Sequence, residues 1–138
     1  MRALYTAVAT ANGGRDGHVR STDGVLDMDL RTPKEMGGPG GQATNPEQLF
    51  AAGYAACFES ALRLVARAQR KPLTETAITA HVTLNAAADR RYVLSVELHG
   101  KLAGLSQDET RALMQAAHQV CPYSNATRGN IEVKLVAE

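Results

Sequence analysis

The chain has 138 residues, the size of one ordinary domain whose core can fold without metal or disulfide staples. Fifteen basic and fourteen acidic side chains leave a formal net charge of +1 without runs of either sign, which argues against nucleic acid or an anionic membrane as a partner. We therefore expect a single domain over residues 1–138, and because the N-terminus does not resemble a signal peptide, a cytoplasmic location.

The first third of the chain predicts two strands and a long loop. Residues 2–10 are typical of a strand, and in GVLDMDL, residues 24–30, apolar and acidic residues alternate as in a half-buried strand. The segment RTPKEMGGPGGQATNP that follows is rich in glycine and proline, which predicts an irregular loop before Asn45. Loops of this length in a compact domain are usually functional or disordered.

A long helix is predicted from residue 46 to about residue 70. Asn45 suits the N-cap, Pro46 the first helical position, and Gln48 the third position of a capping box. The helix is apolar on almost every side, and one antiparallel sheet cannot cover it, so its composition predicts a dimer. Small residues repeat every four positions in two rows, which allow close approach of another element: Ala52, Ala56 and Ser60, and Gly53, Cys57 and Ala61.

The rest of the chain predicts a hairpin, a second helix and a last strand. Alternating patterns over residues 76–84 and 92–99 flank the turn segment NAAADR. Ser106 and Glu109 fit a capping box at the start of a helix that Pro122 ends, and NIEVKLVAE alternates as a strand. The fold class is therefore α+β, with antiparallel strand pairing expected throughout.

The chain has two cysteines, on elements that must pack together. Cys57 lies in the apolar helix, and Cys121 lies directly before Pro122, where regular structure breaks. One interpretation is that both are small core residues, because free cysteine is often buried. The other is a reactive pair, in which one thiolate is oxidised and the second thiol closes a disulfide. The second interpretation requires a cation, since burial alone raises the pKa of Cys57.

The arginine candidates for that cation are Arg15 and Arg20 in turns, Arg31 nearby, and Arg63 and Arg67 on the helix of Cys57. Arg15 in GGRDG is the most interesting because flanking glycines permit an unusual backbone. A solvated surface arginine is the simpler interpretation. Glu47 either complements the helix dipole or holds an arginine by bidentate pairing. Two cysteines and four scattered histidines do not suggest a tetrahedral metal site, and no nucleotide-binding fingerprint is present.

Three stretches together, ALYTA…GGRDG, ATNPEQLFAAGYAACFESAL and CPYSNATRGNI, closely resemble the organic hydroperoxide resistance proteins, a branch of the OsmC/Ohr superfamily. The resemblance covers nearly the whole chain, although residues 71–104 carry only strand patterning. It implies an α+β fold of antiparallel sheets wrapping a long central helix in an intertwined homodimer.

The resemblance also implies a function. The chain would be a thiol peroxidase of fatty-acid-like organic hydroperoxides, with Cys57 as peroxidatic and Cys121 as resolving cysteine. Arg15 matches the arginine beside the reactive thiol, and Glu47 matches its carboxylate partner. A dihydrolipoyl-type dithiol or lipoylated protein would reopen the Cys57–Cys121 disulfide, and neither a metal nor a bound organic cofactor is implied.

Two further expectations follow from the resemblance. Met36, Phe50 and Tyr123 are candidates for apolar surroundings that would favour greasy peroxides over hydrogen peroxide. Glu47 and Cys57 are separated by about 15 Å of helical rise, which one arginine side chain would hardly span. We therefore expect Arg15 and Glu47 to serve the Cys57 of the partner chain, with antiparallel central helices.

Three alternatives stay open at the sequence level. The first is an OsmC-type peroxidase with a broader substrate range. The second is a thiol redox sensor that does not turn over, although neither charge nor a second domain offers a docking region. The third is a small-molecule binding module with an incidental cysteine pair, which predicts full activity after loss of either thiol.

Overall fold

The computed structural model describes all 138 residues, which form two compact units, Met1–Leu49 and Phe50–Glu138. The first unit contains an antiparallel sheet of three short strands, in the order β1 (Ala9–Asn12), β2 (His18–Ser21) and β3 (Asp27–Asp29). A single 3-10 turn, Gly14–Asp16, joins β1 to β2. The two units of the chain are α+β in content, as predicted.

Both strand predictions in the first unit were too long. Residues 2–8 carry a strand-like pattern, but they have no ladder partner within this chain, and a strand exists only where such pairing forms. Their large side chains Leu4 and Tyr5 are more than four-fifths exposed. Of the apolar residues between 24 and 30, only Leu30 is buried. This unit therefore presents apolar side chains that nothing in its own structure covers.

The loop after Leu30 is irregular, as the glycine and proline content predicted. It contains one 3-10 turn, Lys34–Met36, and a parallel bridge between Leu30 and Thr44 closes its base. Asp16 fixes this loop to the 3-10 turn between β1 and β2, because its carboxylate accepts hydrogen bonds from the Thr32 backbone N–H at 2.9 Å and hydroxyl at 3.0 Å. The two irregular segments of the first unit are thus held together.

Helix α1 spans Pro46–Ala68, close to the predicted 46–70. Asn45 is its N-cap, since its side-chain oxygen accepts the Gln48 backbone N–H at 2.8 Å. The predicted capping box is only half formed, because the Gln48 side chain instead accepts the Thr44 hydroxyl at 3.0 Å.

By length and composition, α1 is apolar enough to cross a membrane. Within the second unit, however, Tyr54, Phe58 and Leu62 are completely buried, as in the core helix of a globular unit. The opposite side of α1 is exposed at Ala52, Ala56, Ser60 and Leu64.

The second unit contains one mixed three-stranded sheet. Strands β4 (Thr76–Ala86) and β5 (Tyr92–Leu102) form the predicted hairpin in full register. Strand β6 (Val133–Ala137) pairs with β5 in parallel, so the expectation of purely antiparallel pairing was wrong for this pair. The reason is the helical connection, which brings the chain back to run in the same direction as β5.

That connection consists of two helices where one was predicted. Helix α2 (Gln107–Val120) has the expected capping box, with Ser106 and Glu109 each bonded to the other's backbone N–H. Pro122 ends α2 as predicted, but it also starts α3 (Pro122–Thr127), at a position where its missing N–H costs nothing. Cys121 is the single extended residue between these helices.

Candidate active site

Arg15 and Glu47 form a bidentate ion pair in the first unit. The two guanidinium nitrogens donate to the two carboxylate oxygens of Glu47 at 2.8 and 2.6 Å. The hydrogen bonds from Arg15, opposed by partial burial, hold the pKa of Glu47 below its usual value. Glu47 lies in the first turn of α1, where the helix dipole also favours a carboxylate.

The glycines around Arg15 explain the GGRDG motif. Gly13 has a φ of 83°, in the left-handed region that favours glycine. A Cβ at Gly17 would collide with the carbonyl of Asn12, so only glycine fits there. These two glycines let the chain make the tight turn that carries Arg15.

Cys57 and Cys121 meet in the second unit. Their sulfur atoms lie 3.6 Å apart although the residues are 64 positions apart in sequence, and both are free thiols. Cys121 is completely buried, and Cys57 is partly buried. Cys121 has the extended backbone (φ −60°, ψ 124°) expected of a residue before proline. The break between α2 and α3 thus directs its thiol at α1.

The electrostatics of Cys57 within this unit oppose ionisation. Burial raises the pKa of the Cys57 thiol, and the neighbouring Cys121 thiol raises it further. The backbone N–H of Tyr123, which donates to the Cys57 sulfur, acts in the opposite direction but is outweighed. Chemistry at Cys57 near neutral pH therefore needs a cation that the second unit does not itself place beside this sulfur.

Three aromatic rings pack together on α1 and α3, the helices next to the cysteine pair. The centroids of Phe50, Tyr54 and Tyr123 are 5.5 to 6.0 Å from one another. Tyr123 packs directly on Gly53, so closely that a Cβ at this glycine would lie 2.6 Å from the tyrosine hydroxyl oxygen. One of the two small-residue rows of α1 thus accommodates this ring.

A buried chain of polar groups next to the cysteines was missed at the sequence level. The Tyr54 hydroxyl lies 2.9 Å from the Ser124 hydroxyl and 3.2 Å from that of Thr127, and Ser124 also lies 2.7 Å from Nδ1 of His118. Ser124 is completely buried. The available signal was spacing, because Tyr54, His118 and Ser124 each stand three positions from a cysteine.

A cavity of about 790 Å³ opens beside the site in the second unit. Its walls include Pro122 and Tyr123, which directly follow Cys121, and they are more apolar than polar. The remaining wall comes from Phe50, residues 91–94 at the start of β5, the end of α3, and Ile131. Such a space suits a ligand with a hydrocarbon part.

The other candidates from the sequence lie elsewhere. Met36 is exposed in the first unit, at the end of a 3-10 turn. Arg31 donates to the Leu30 carbonyl at 2.6 Å, and Arg63 pairs with Glu59 on α1. His18 bonds two aspartates of β3, but no group of three or more histidine, cysteine or acidic side chains could hold a metal ion.

The main chemical features of this α+β chain are two thiols in contact and a bidentate arginine–carboxylate pair. Comparison with known proteins identifies the class to which the chain belongs. The family model of OsmC-like proteins matches residues 38–136. Organic hydroperoxide resistance protein OhrA of Bacillus subtilis is 54% identical over 98% of this chain and 97% of its own length. The organic hydroperoxide resistance protein of Xanthomonas axonopodis pv. citri is 50% identical, covering 97% and 94%.

A solved structure agrees with these relatives. The crystal structure of an organic hydroperoxide resistance protein from Legionella pneumophila matches with a TM-score of 0.94 and 55% identity, over 99% of both chains. The chain therefore belongs to the OsmC/Ohr family, and its relatives are organic hydroperoxide resistance proteins. The family resemblance read from the sequence is confirmed.

Proposed function

We propose that this protein is a cysteine-based peroxidase that reduces organic hydroperoxides to alcohols. The observation that carries the proposal is the contact between two free thiols, 3.6 Å apart, in an apolar setting. Relatives that are about half identical over nearly the whole chain are named for organic hydroperoxide resistance, which supports the same substrate class.

The chemistry begins at Cys57. Its thiolate attacks the distal oxygen of the hydroperoxide, the O–O bond breaks, and the alkoxide leaves and takes a proton to become the alcohol. Cys57 is now a sulfenic acid. The Cys121 sulfur then attacks it, a disulfide forms, and the sulfenic oxygen leaves as water. Two electrons have passed from the two thiols to the peroxide.

A dithiol restores the enzyme. One sulfur of a dihydrolipoyl-type dithiol, free or on a lipoylated protein, attacks the Cys57–Cys121 disulfide and forms a mixed disulfide. Its second sulfur displaces the enzyme thiol, so the reductant leaves as a cyclic disulfide. This cycle uses only the thiols of the chain and its co-substrate.

The missing cation is supplied by a homodimer in this proposal. The bidentate pairing with Glu47 orients Arg15, and the Arg15–Glu47 pair of one chain serves the Cys57 of the other. Two features support a dimer: the exposed row of small residues on α1, and the uncovered apolar side chains of the first unit. Packing two chains together would cover both surfaces.

The apolar cavity next to Tyr123 supports selection of substrates with a hydrocarbon part. Transfer of such a group from water into the cavity is favourable, by about 25 cal/mol for each Å² of apolar surface removed from water. Hydrogen peroxide gains nothing from this burial. We expect kcat/KM for cumene hydroperoxide to exceed that for hydrogen peroxide, and equal values would favour the broader OsmC-type activity.

The test measures consumption of cumene hydroperoxide with dihydrolipoamide as reductant. Wild type should turn over many equivalents, and Cys57→Ser should consume none. Cys121→Ser, which keeps Cys57 but lacks the second thiol, should still form the sulfenic acid on Cys57. Activity retained in Cys57→Ser would overturn the proposal. Consumption of one equivalent by wild type without turnover would indicate a redox sensor instead.

A further inference from the structure

The buried polar chain beside the cysteines takes no direct part in the proposed chemistry. Its members nevertheless stand close in sequence to both thiols. Tyr54 stands three residues before Cys57 on α1, one helical turn away. His118 stands three residues before Cys121, near the end of α2, and Ser124 stands three residues after it, in α3. The chain of hydrogen bonds therefore joins the three helices that hold the two sulfurs.

Each hydrogen bond of this chain joins groups that lie within 3.2 Å of each other. Burial, together with the nearby Arg128 guanidinium, lowers the pKa of His118 and so favours its neutral ring. Nδ1 of His118 lies 2.7 Å from the Ser124 hydroxyl, and the Tyr54 hydroxyl lies 2.9 Å from the same Ser124 oxygen. Loss of one member leaves a buried polar partner without a hydrogen bond.

The same region is fixed by a second layer of contacts. The Arg128 guanidinium bonds the backbone carbonyl of His118 and, at 2.8 Å, the side chain of Asn125. The Thr127 hydroxyl donates to the Ser124 carbonyl at 3.2 Å. The break at Cys121 is therefore less free than its place between two helices suggests, because both sides of it are tied to each other and to α1.

We propose that Tyr54, Ser124 and His118 are positioning residues for the resolving step. This inference rests on the proposed function. The chain of hydrogen bonds holds Cys121 against Cys57, so that the disulfide forms before a second hydroperoxide converts the sulfenic acid irreversibly to a sulfinic acid. In that step the S–S bond forms, the sulfenic S–O bond breaks, and the Cys121 thiol proton leaves with the hydroxyl as water.

Small displacements matter for such a step. The sulfurs must approach from 3.6 Å to about 2.0 Å, and the disulfide has strict geometric requirements. A misplacement of about 1 Å can slow a reaction by roughly 100-fold. The first step does not share this dependence, because the hydroperoxide reaches Cys57 without help from Cys121.

The experiment compares the two steps in single turnovers with cumene hydroperoxide. Intact-protein mass spectrometry after rapid quenching separates the thiol, sulfenic, disulfide and sulfinic forms of the full-length protein. The variants are Tyr54→Phe, which removes one hydroxyl, and His118→Leu. His118→Asn is the conservative variant, since its side-chain oxygen can accept the Ser124 hydrogen bond. Thr110→Val is the matched control, because Thr110 is the one buried hydroxyl without a hydrogen-bond partner.

We expect Tyr54→Phe and His118→Leu to form the disulfide about 10-fold more slowly, with oxidation of Cys57 changed less than about 2-fold. Sulfinic acid should accumulate in both under excess hydroperoxide. His118→Asn should recover most of the rate, and Thr110→Val should match wild type. A merely structural role would slow both steps together or leave their ratio unchanged.

Two results would overturn the inference in distinguishable ways. Disulfide formation at the wild-type rate in both Tyr54→Phe and His118→Leu, or an equal slowing of both steps, would refute the positioning role and leave the peroxidase intact. Absence of any sulfenic acid or disulfide in wild type would refute the peroxidase, and the positioning role with it.

Discussion

A thiol in apolar surroundings resists losing its proton, and burial raises the pKa of Cys57 for this reason. The proposed enzyme needs that burial, because it keeps water from the sulfenic acid and attracts greasy substrates. It also needs the thiolate. In the proposed dimer the Arg15 guanidinium of the partner chain meets both requirements, and the bidentate pair with Glu47 fixes the position of that guanidinium.

Replacement of Arg15 tests this resolution directly. Arg15→Ala should lower the rate of Cys57 oxidation at pH 7 by about 10-fold or more, because a neighbouring cation commonly lowers a thiol pKa by at least 1. The oxidation rate of Arg15→Lys should lie between those of wild type and Arg15→Ala, since lysine keeps the charge but cannot make the bidentate pair. Stopped-flow measurement of Cys57 oxidation at several pH values gives the rates of both variants.

Arg20→Ala is the control for this series, because Arg20 is exposed in β2 and forms no ion pair. It should oxidise like wild type. An Arg15→Ala variant with unchanged oxidation at every pH would contradict the proposed role of this guanidinium.

The Arg15–Glu47 pair also predicts a pH dependence. The pKa of Glu47 is lowered on folding by its hydrogen bonds from Arg15. The carboxylate is therefore stabilising above its unfolded-state pKa, and this contribution is lost as pH falls through the lower folded-state pKa. The difference in free energy of unfolding between wild type and Glu47→Gln should be constant from about pH 8 to 5 and shrink below about pH 4.

Urea titrations at several pH values measure that difference. A difference that disappears already near neutral pH would show that Glu47 does not hold its charge through Arg15. Equal stability of both proteins at every pH would show that the pair contributes nothing to folding.

At the scale of elements, patterns within one segment were predictable and pairings between segments were not. The helices and the hairpin were recognised because Asn45, Ser106 and the alternating residues act on their own neighbours in sequence. The parallel partner of β5 and the short helix α3 were missed, because they depend on how a two-helix connection packs. Residues 2–8 have the pattern of a strand but lie outside every strand ladder of the chain.

The candidate site divides in the same way. Cys57, Cys121, Arg15 and Glu47 stand in recognisable motifs, so the sequence pointed to each of them. Tyr54 and Ser124 lie in the same stretches, but tyrosine and serine are common in ordinary cores and surfaces, so only their spacing from the cysteines pointed to them. Only the fold shows that they bond each other across 70 positions.

Helix α1 provides a prediction at this scale through Gly53. A Cβ at Gly53 would lie 2.6 Å from the Tyr123 hydroxyl oxygen, so Gly53→Ala must displace that ring. Alanine favours a helix by about 1 kcal/mol relative to glycine, and this gain offsets the cost of displacing the ring. The free energy of unfolding should therefore change little. The backbone N–H of Tyr123 donates to the Cys57 sulfur and thereby lowers the pKa of this thiol. Displacement of Tyr123 should weaken that hydrogen bond, so the pKa of Cys57 should rise.

Alkylation of Cys57 by iodoacetamide as a function of pH measures this rise. The double variant Gly53→Ala with Tyr123→Phe removes the closest colliding atom and should recover part of the wild-type reactivity. Unchanged alkylation in Gly53→Ala would mean that Tyr123 can move without affecting the sulfur.

The capping box of α2 gives a prediction that separates stability from activity. Ser106→Ala removes the side-chain oxygen that accepts the Glu109 backbone N–H at 3.1 Å. It should lower the free energy of unfolding by about 1 kcal/mol, with peroxidase activity unchanged at 25 °C. Ser106→Asp, which can still cap the helix, should retain most of the stability in urea titrations; equal losses in both variants would exclude the cap as the cause.

At the scale of the whole molecule, the proposed chemistry needs a thiol from the second unit and a guanidinium from the first. Burial in the second unit raises the pKa of the Cys57 thiol, and the first unit holds the Arg15 guanidinium in a bidentate pair with Glu47. Exposed apolar side chains on the first unit and small residues on the outer side of α1 favour association. In the proposed dimer, assembly and thiol activation are one event.

Ala56 offers the sharpest test of that proposal, because it lies in the middle of the exposed small-residue row. Ala56→Arg should prevent close approach of a second helix, give a monomer in analytical ultracentrifugation, and lose thiolate reactivity at pH 7. Gln115→Arg adds the same charge to an exposed position of α2 and should remain dimeric and active. A monomeric Ala56→Arg protein with full activity would refute activation by the partner chain.

The sulfur contact has a mechanical consequence. The two cysteines are 64 positions apart, so a crosslink between them would enclose the β4–β5 hairpin and all of α2 in one covalent ring. Closing a ring of this size destabilises the unfolded chain by about 4 kcal/mol, which corresponds to roughly 15 °C in melting temperature. In the proposed cycle, the disulfide form would then be more resistant to heat than the reduced form, so the protein would be most stable when its reductant is scarce.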